Sequence, residues 1–204
     1  MLLMHFKTNL MKRLFDLTAS LIGLIVLFPV FIIVSILVKI SSEGPVFLMQ
    51  QRIGRSCRVF KMIKFRSMKV IQSSDSTISV KGDLRITKFG AFLRKYKIDE
   101  LPELFNVLRG EMSIVGPRPD VSGYADKLEG EDVLILELRP GITGPASLKY
   151  ANEEEILALQ EDPVKYNDET IYPDKVKLNL DYYYNNNLWI DIKIIFATIF
   201  RTSY

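Results

Sequence analysis

The chain has 204 residues, 48% of them hydrophobic and 25% charged, with a formal net charge of +3 and a mean hydropathy of +0.12. This excludes a disordered chain, leaves room for one catalytic domain plus an appendage, and leans toward membrane contact. A single cysteine, Cys57, excludes a disulfide scaffold, and a single histidine, His5, leaves Ser-His-Asp, Cys-His and His-rich zinc chemistry without residues to work with. Any catalysis falls to carboxylates, lysines, arginines or a borrowed metal.

The charge is unevenly spread. Residues 1–119 hold 19 Lys/Arg against 8 Asp/Glu, whereas residues 120–181 hold 6 against 15. A basic half facing something anionic and an acidic half facing water would produce this pattern.

Between Asp16 and Lys39 lie 22 uncharged residues, LTASLIGLIVLFPVFIIVSILV. As a straight helix they reach roughly 33 Å, about one bilayer core. Length alone suits a single spanning anchor. The run is too long for a cleaved signal peptide, and no small-residue cleavage site follows it. Two details favour a helix that dips into the membrane and returns. Pro29 sits mid-run, where it removes a donor and crowds the preceding turn, so a kink is expected. The flanks are basic on both sides, Lys7, Lys12 and Arg13 before the run and Lys39, Arg52, Arg55 and Arg58 after it. A spanning helix carries that bias on one side only.

Beyond the turn Ser41-Ser42-Glu43-Gly44-Pro45, residues 46–52 and 57–65 read as two strands of a hairpin around Gly54-Arg55-Ser56. Residues 44–74 carry seven basic side chains and no acidic one, as headgroup or phosphate contact would require. Residues 72–82 (QSSDSTISVKG) read as a mobile loop. Residues 87–98 form a basic amphipathic helix with Phe89, Phe92, Leu93 and Tyr96 on one face, suited to the membrane interface or to a core. Residues 101–108 continue as a helix that stops at Gly110. An acidic helix is expected around residues 153–160. A last helix carries Leu188, Trp189, Ile192, Ile195, Phe196 and Ile199, after a connector at Asn185–Asn187.

No phosphate-binding GxxxxGK[ST] loop, GxGxxG turn or Asp-x-Asp pair occurs. What remains is Asp99-Glu100-Leu101-Pro102. Pro102 fits only a helix's first turn, so Asp99 is expected as the N-cap with Glu100 at the first helical position. There the helix dipole would keep both carboxylates ionised, and neighbouring N–H groups would accept phosphate oxygens. One carboxylate could attack phosphorus while the other holds a divalent cation. Downstream, Gly116-Pro117-Arg118-Pro119 and Arg139-Pro140-Gly141-Ile142-Thr143-Gly144 each set an arginine among conformationally restricted residues, which lowers the entropy lost on gripping a phosphate.

These motifs, with Lys64-Phe65-Arg66-Ser67-Met68 and the stretch from Asp99 to Gly110, resemble the small monotopic phosphoglycosyl transferases, bacterial sugar transferases that begin polyprenyl-linked glycan assembly. The resemblance runs from about Lys12 to the C-terminus. It implies that Asp99 is the nucleophile, attacking the sugar-bearing phosphorus of a UDP-sugar, releasing UMP and passing the phosphosugar to undecaprenyl phosphate. It implies that Glu100 helps bind Mg²⁺, and that Arg118 between Pro117 and Pro119, with Lys64, Arg66, Arg94, Arg139 and Thr143, holds phosphate or nucleotide. The donor it implies carries an N-acetylated hexosamine or deoxy-amino sugar. It further implies a re-entrant helix kinked at Pro29 with both ends on the cytoplasmic face of the bacterial inner membrane, against anionic lipids.

Two positions depart from the family pattern: Phe28 precedes Pro29 where Ser is common, and Glu103 stands where Gln is common. The segment after Gly144 is expected to discriminate substrates. The fold expected is an α-rich α+β one, with a tail and membrane helix over residues 1–41 and a cytosolic, membrane-associated catalytic domain over 42–204 containing a short β-hairpin and interfacial helices. A membrane-anchored lipid-binding module without catalysis is the alternative. Nucleic acid is not expected as a partner, because the basic run carries only Phe60 and Phe65 for base stacking.

Overall fold

The computed structural model describes residues 2–69 and 85–202, with side chains from residue 10 onward. The loop expected at 72–82 lies outside the described residues, as do the side chains of His5 and Lys7. Helix α1 (Leu2–Ser41) absorbs the expected tail as well as the apolar run, and it continues through Pro29 without a break. At 40 residues it is roughly 60 Å long. Leu10–Ser41 is long and apolar enough to cross a membrane.

One stripe of α1 faces protein. Phe31, Val34 and Val38 are buried against Phe65 and Leu93, with Leu24, Leu27 and Val30 packed beside them. The three-and-four residue spacing is that of a helix face. Ile22, Ile25, Val26, Phe28, Ile33 and Ile36 turn away and stay exposed. The body also grips both ends of the apolar run. Near the start, Lys12 pairs with buried Asp191 at 2.5 Å, Arg13 donates to the carbonyls of Val107 and Leu108, and Asp16 accepts from the Ile114 amide. Near the end, Arg66 donates to the carbonyls of Val38 and Ser42. Lys12 and Arg13, read as part of a lipid-facing basic flank, are therefore committed to protein contacts.

Strands β1 (Phe47–Ile53) and β2 (Val59–Phe65) form the expected antiparallel hairpin, joined by a tight turn at Arg55–Cys57. Helix α2 (Lys88–Lys95) begins where Thr87 caps the Gly90 amide at 2.8 Å. Its apolar residues split: Leu93 is buried and Phe89 packs on the core, while Phe92 and Tyr96 stay half exposed with their rings in contact. Helix α3 (Glu103–Arg109) ends at Gly110, whose φ of 84° is the left-handed stop expected of a glycine there.

The sequence reading missed a parallel pair. Strand β3 (Ser113–Val115) lies beside β4 (Gly141–Thr143), bringing the Gly-Pro-Arg-Pro and Arg-Pro-Gly-Ile-Thr-Gly segments together. The glycines permit this. A Cβ on Gly116 would sit 2.3 Å from the Arg139 carbonyl oxygen, and one on Gly144 would sit 2.2 Å from the Gly116 carbonyl oxygen. Short helices α4 (Pro145–Lys149), α5 (Glu153–Ala158) and α6 (Pro163–Tyr166) follow, then α7 (Tyr172–Asn185) and α8 (Leu188–Phe200). Asn187 caps α8 through the Ile190 amide, as a connector residue would. Tyr182 and Ile194 from these helices bury Val115.

A two-stranded ribbon leaves a free edge on each strand, and here one side chain closes it. Fully buried Asn106 of α3 accepts from the Ile63 amide at 3.0 Å and donates to the Lys61 carbonyl at 2.8 Å. Its amide nitrogen also donates to Glu111 at 2.7 Å. Asn106→Ala would strand buried backbone groups and should cost about 2–4 kcal/mol, read as a lower denaturation midpoint. Substitution of exposed Lys127 should leave that midpoint unchanged.

Candidate active site

The α3–β2 junction aligns the charged residues. Lys64 follows the edge that Asn106 caps, and its ammonium lies 2.8 Å from Glu100 and 3.3 Å from Glu103. From the β3 side, Arg118 reaches the same Glu100 at 2.5 Å and 3.5 Å, one nitrogen to each carboxylate oxygen. Four elements of the sequence thus meet in one charged centre. The fork geometry is the one arginine favours for carboxylate or phosphate.

Asp99 is not the expected helix cap. The helix begins at Glu103, and Asp99 and Glu100 sit in a single tight turn, Ile98–Glu100, that follows Lys97 in the left-handed conformation (φ 57°). Pro102 fits as the residue just before the helix. The turn points the Asp99 carboxyl inward: it is 7% exposed and its Oδ1 has no hydrogen-bond partner. Nor does a helix dipole keep both acids ionised. Burial pushes Asp99 up from the usual carboxylate range, with Glu100 adding to the rise and Lys64, Arg94 and Lys97 opposing it. For Glu100 burial acts the same way, but Arg118 and Lys64 outweigh it and hold the group well below that range. Two adjacent carboxylates are therefore pushed apart in proton affinity, one locked as an anion and one left unpaired.

Glu103 is the residue whose weight the sequence concealed. It is 1% exposed, and burial, partly opposed by Lys64, lifts its pKa from the usual 4.5 to about 7. Asp120, directly after Pro119, was missed altogether. Burial pushes it up to about 6, and it accepts from the Tyr172 hydroxyl while Arg52, Lys175 and Arg118 lie near. Its position beside a recognised motif was the only signal available.

The other sequence candidates divide. Pro117 and Pro119 are buried and fix the backbone around Arg118. Arg94 stands close enough to Asp99 to lower its pKa and also pairs with Glu154 of α5. Arg66 is buried against the C-terminal end of α1. Thr143 shares a hydrogen bond with Thr198 of α8. Arg139 donates to the Gly110 carbonyl, among other arginines and away from the Glu100 cluster. The last three hold elements together.

No group of three or more His, Cys, Asp or Glu side chains converges among the described residues. A magnesium ion typically takes one or two carboxylates and completes its shell with water and substrate phosphates. Glu100 is the carboxylate that would hold such an ion, since its Oε2 carries only the longer 3.5 Å contact to Arg118 while Oε1 is engaged by Lys64 and Arg118.

The raised Glu103 pKa has a stability consequence. Between about pH 4.5 and 7 the folded state holds a proton there that the unfolded state releases. That contribution is complete below pH 4.5 and fades as pH rises through about 7. Melting temperature should therefore fall with rising pH across this window, and Glu103→Gln should flatten the slope. An unchanged slope would mean that Glu103 is ionised throughout.

The bacterial sugar transferase family model matches residues 7–203. A UDP-glucose:undecaprenyl-phosphate glucose-1-phosphate transferase of Klebsiella pneumoniae is 38% identical over 196 residues, covering 93% of this chain and 39% of that protein. A UDP-N-acetylgalactosamine-undecaprenyl-phosphate N-acetylgalactosaminephosphotransferase of Aeromonas hydrophila is 35% identical over 196 residues, covering 92% and 42%. The chain thus spans about two fifths of the length of these relatives. The exopolysaccharide production protein PSS of Rhizobium leguminosarum bv. phaseoli is 37% identical over 199 residues and covers 93% of both chains. A match across nearly the whole chain, over the same residues that build the Asp99, Glu100 and Arg118 centre, places this protein in the bacterial sugar transferase family.

Proposed function

We propose that the chain moves a phosphosugar from a UDP-linked hexose to undecaprenyl phosphate, giving UMP and a diphosphate-linked lipid. The observation that carries this is the buried Asp99 Oδ1, unpartnered and flanked by Lys64, Arg94 and Lys97, next to a Glu100 already locked as an anion. Buried structural carboxylates are generally hydrogen-bonded or ion-paired. Glu103 Oε1 also lacks a hydrogen bond but has the Lys64 ammonium 3.3 Å away, whereas Asp99 has no such ion pair among the described residues. An oxygen held without a partner among cations suits a nucleophile awaiting phosphorus. The named activities of the relatives support the same reaction.

In the first step an Asp99 oxygen attacks the phosphorus that bears the sugar. The bond from that phosphorus to the bridging oxygen breaks and UMP leaves. The phosphosugar is then an acyl phosphate on Asp99. A phosphate oxygen of undecaprenyl phosphate next attacks the same phosphorus and the carboxylate is released unchanged. One anhydride replaces another, so no further energy source is required. Lys64 and Arg118 orient the diphosphate and offset its charge, which is most of what phosphoryl transfer demands. Mg²⁺ held by Glu100 would supply further charge neutralisation at the diphosphate.

The donor is a hexose with or without an acetamido group, since the relatives include glucose and N-acetylgalactosamine transferases. This widens the expectation of an amino sugar. The membrane reading is monotopic, with α1 re-entrant and bent near Pro29, and with both ends on the cytoplasmic face of the inner membrane. The body's grip on Lys12 and Arg13 at one end and on Val38 and Ser42 at the other supports it. An anchored lipid-binding module without catalysis would have no use for the unpartnered Asp99 oxygen.

Purified protein incubated with Mg²⁺ and a panel of UDP-hexoses, without lipid acceptor, should gain the mass of one phosphosugar. Asp99→Asn should gain none, and its melting temperature should show it still folded. UMP release by Asp99→Asn at the wild-type rate would sink the covalent mechanism. In intact cells, native Cys57 and a Met11→Cys reporter in a Cys57→Ser background should show the same protection from an impermeant thiol reagent. Labelling of one alone would mean that α1 spans the membrane.

A further inference from the structure

A second concentration of arginines lies away from the charged centre. At the other end of β2, a cleft of about 470 Å³ is lined by Arg55, Arg58, Arg109 and Arg139, with Glu111 as its one carboxylate. From Val59 at the cleft to Lys64 at the centre, the strand advances roughly 17 Å. Among the described residues none of these four arginines is ion-paired, and Glu111 is already engaged by Asn106. Arg139 uses only its Nε, on the Gly110 carbonyl. Burial lowers its pKa, and the neighbouring charges of Arg13 and Arg55 lower it further.

Ordinary needs do not account for the cluster. Arg13 already satisfies the carbonyls of Val107 and Leu108 at the end of α3. Arg55 and Arg58 have no such duty. They are presented by a turn in which Ser56 (φ 55°) and Cys57 (φ 58°) are both left-handed without being glycine. That strained backbone is closed by bonds from the Gly54 amide to the Arg58 carbonyl and from the Arg58 amide to the Arg55 carbonyl. Unneutralised like charges held together in a concave site favour a polyanion with several oxygens.

We propose that this cleft binds a phosphate group, at a second site separate from the Asp99–Glu100 centre. Arg13, beside Gly110 and Arg139, lies on α1 just ahead of the uncharged run that starts at Leu17. On the membrane reading of α1 proposed above, on which this part of the argument rests, the cleft lies beside the start of the apolar run. A lipid headgroup phosphodiester and a soluble phosphate are the two sources that the test separates.

The test uses the full chain in nanodiscs at constant ionic strength, with melting temperature as the readout. One arm titrates inorganic pyrophosphate in phosphatidylcholine discs. The other replaces part of the phosphatidylcholine with phosphatidylglycerol. Arg55→Gln/Arg58→Gln removes two exposed arginines, and Arg109→Gln tests the cleft independently should that turn fail to form. A Lys127→Gln/Lys177→Gln protein matches the charge lost on an unrelated surface, and Arg118→Gln reports pyrophosphate bound at the charged centre.

For a soluble ligand, at about 1 kcal/mol per cation, the pyrophosphate midpoint should rise about fivefold in Arg109→Gln and about thirtyfold in Arg55→Gln/Arg58→Gln, while Arg118→Gln keeps the response of this cleft. For a headgroup, the stabilisation by phosphatidylglycerol should be the response that the arginine variants lose. Arginine variants that match wild type in both arms would overturn the site. So would an equal loss in the lysine control, because the effect would then be net charge alone.

Discussion

The free edge of β2 is the constraint on which the remaining geometry depends. A two-stranded ribbon cannot satisfy both of its edges, and a buried unpaired amide costs as much as a lost hydrogen bond. Asn106 meets the Ile63 amide and the Lys61 carbonyl with one side chain and so fixes α3 against the hairpin. Glu103, one helical turn before Asn106, is thereby set against Lys64, the residue that follows Ile63. Glu100 and Asp99 stand immediately upstream in the same rigid stretch. A polar side chain in the core thus acts as the ruler that places the charged centre.

The second constraint is backbone proximity between β3 and β4. It joins two glycine-proline segments that lie far apart in the chain and leaves Arg118 extended toward Glu100. Glycine is required there for lack of room, because the neighbouring carbonyl oxygens occupy the space a Cβ would take. Buried prolines on both sides of Arg118 then hold its guanidinium with little freedom to lose. Electrostatics follow from this packing. Glu100 receives two cations and stays ionised, whereas Asp99 receives burial without a direct partner and rises.

Helix α1 serves two environments. Its Phe31, Val34 and Val38 stripe belongs to the protein core, and its remaining apolar residues are left outside. The body's contacts at both ends of the apolar run tie the helix to the same folded unit throughout. Lys12 and Arg13 work as packing residues within that arrangement.

Much of this was readable from one dimension. The apolar run, the hairpin, and the Thr87 and Gly110 boundaries of the helices follow from local periodicity and turn chemistry, which neighbouring residues encode. The family was carried by the resemblance of its short motifs to known sugar transferases. Asp99, Glu100 and Arg118 could be named for the same reason. Their relationships could not. That Arg118 grips Glu100, that Asp99 lies in a tight turn short of the helix, that Glu103 is buried, and that Arg139 and Arg66 brace other elements all depend on which distant segments meet. Sequence order carries residue type and local conformation. Burial and charge pairing, which set the proton affinity of each carboxylate, exist only once the edge of β2 and the β3–β4 pair have brought those segments together.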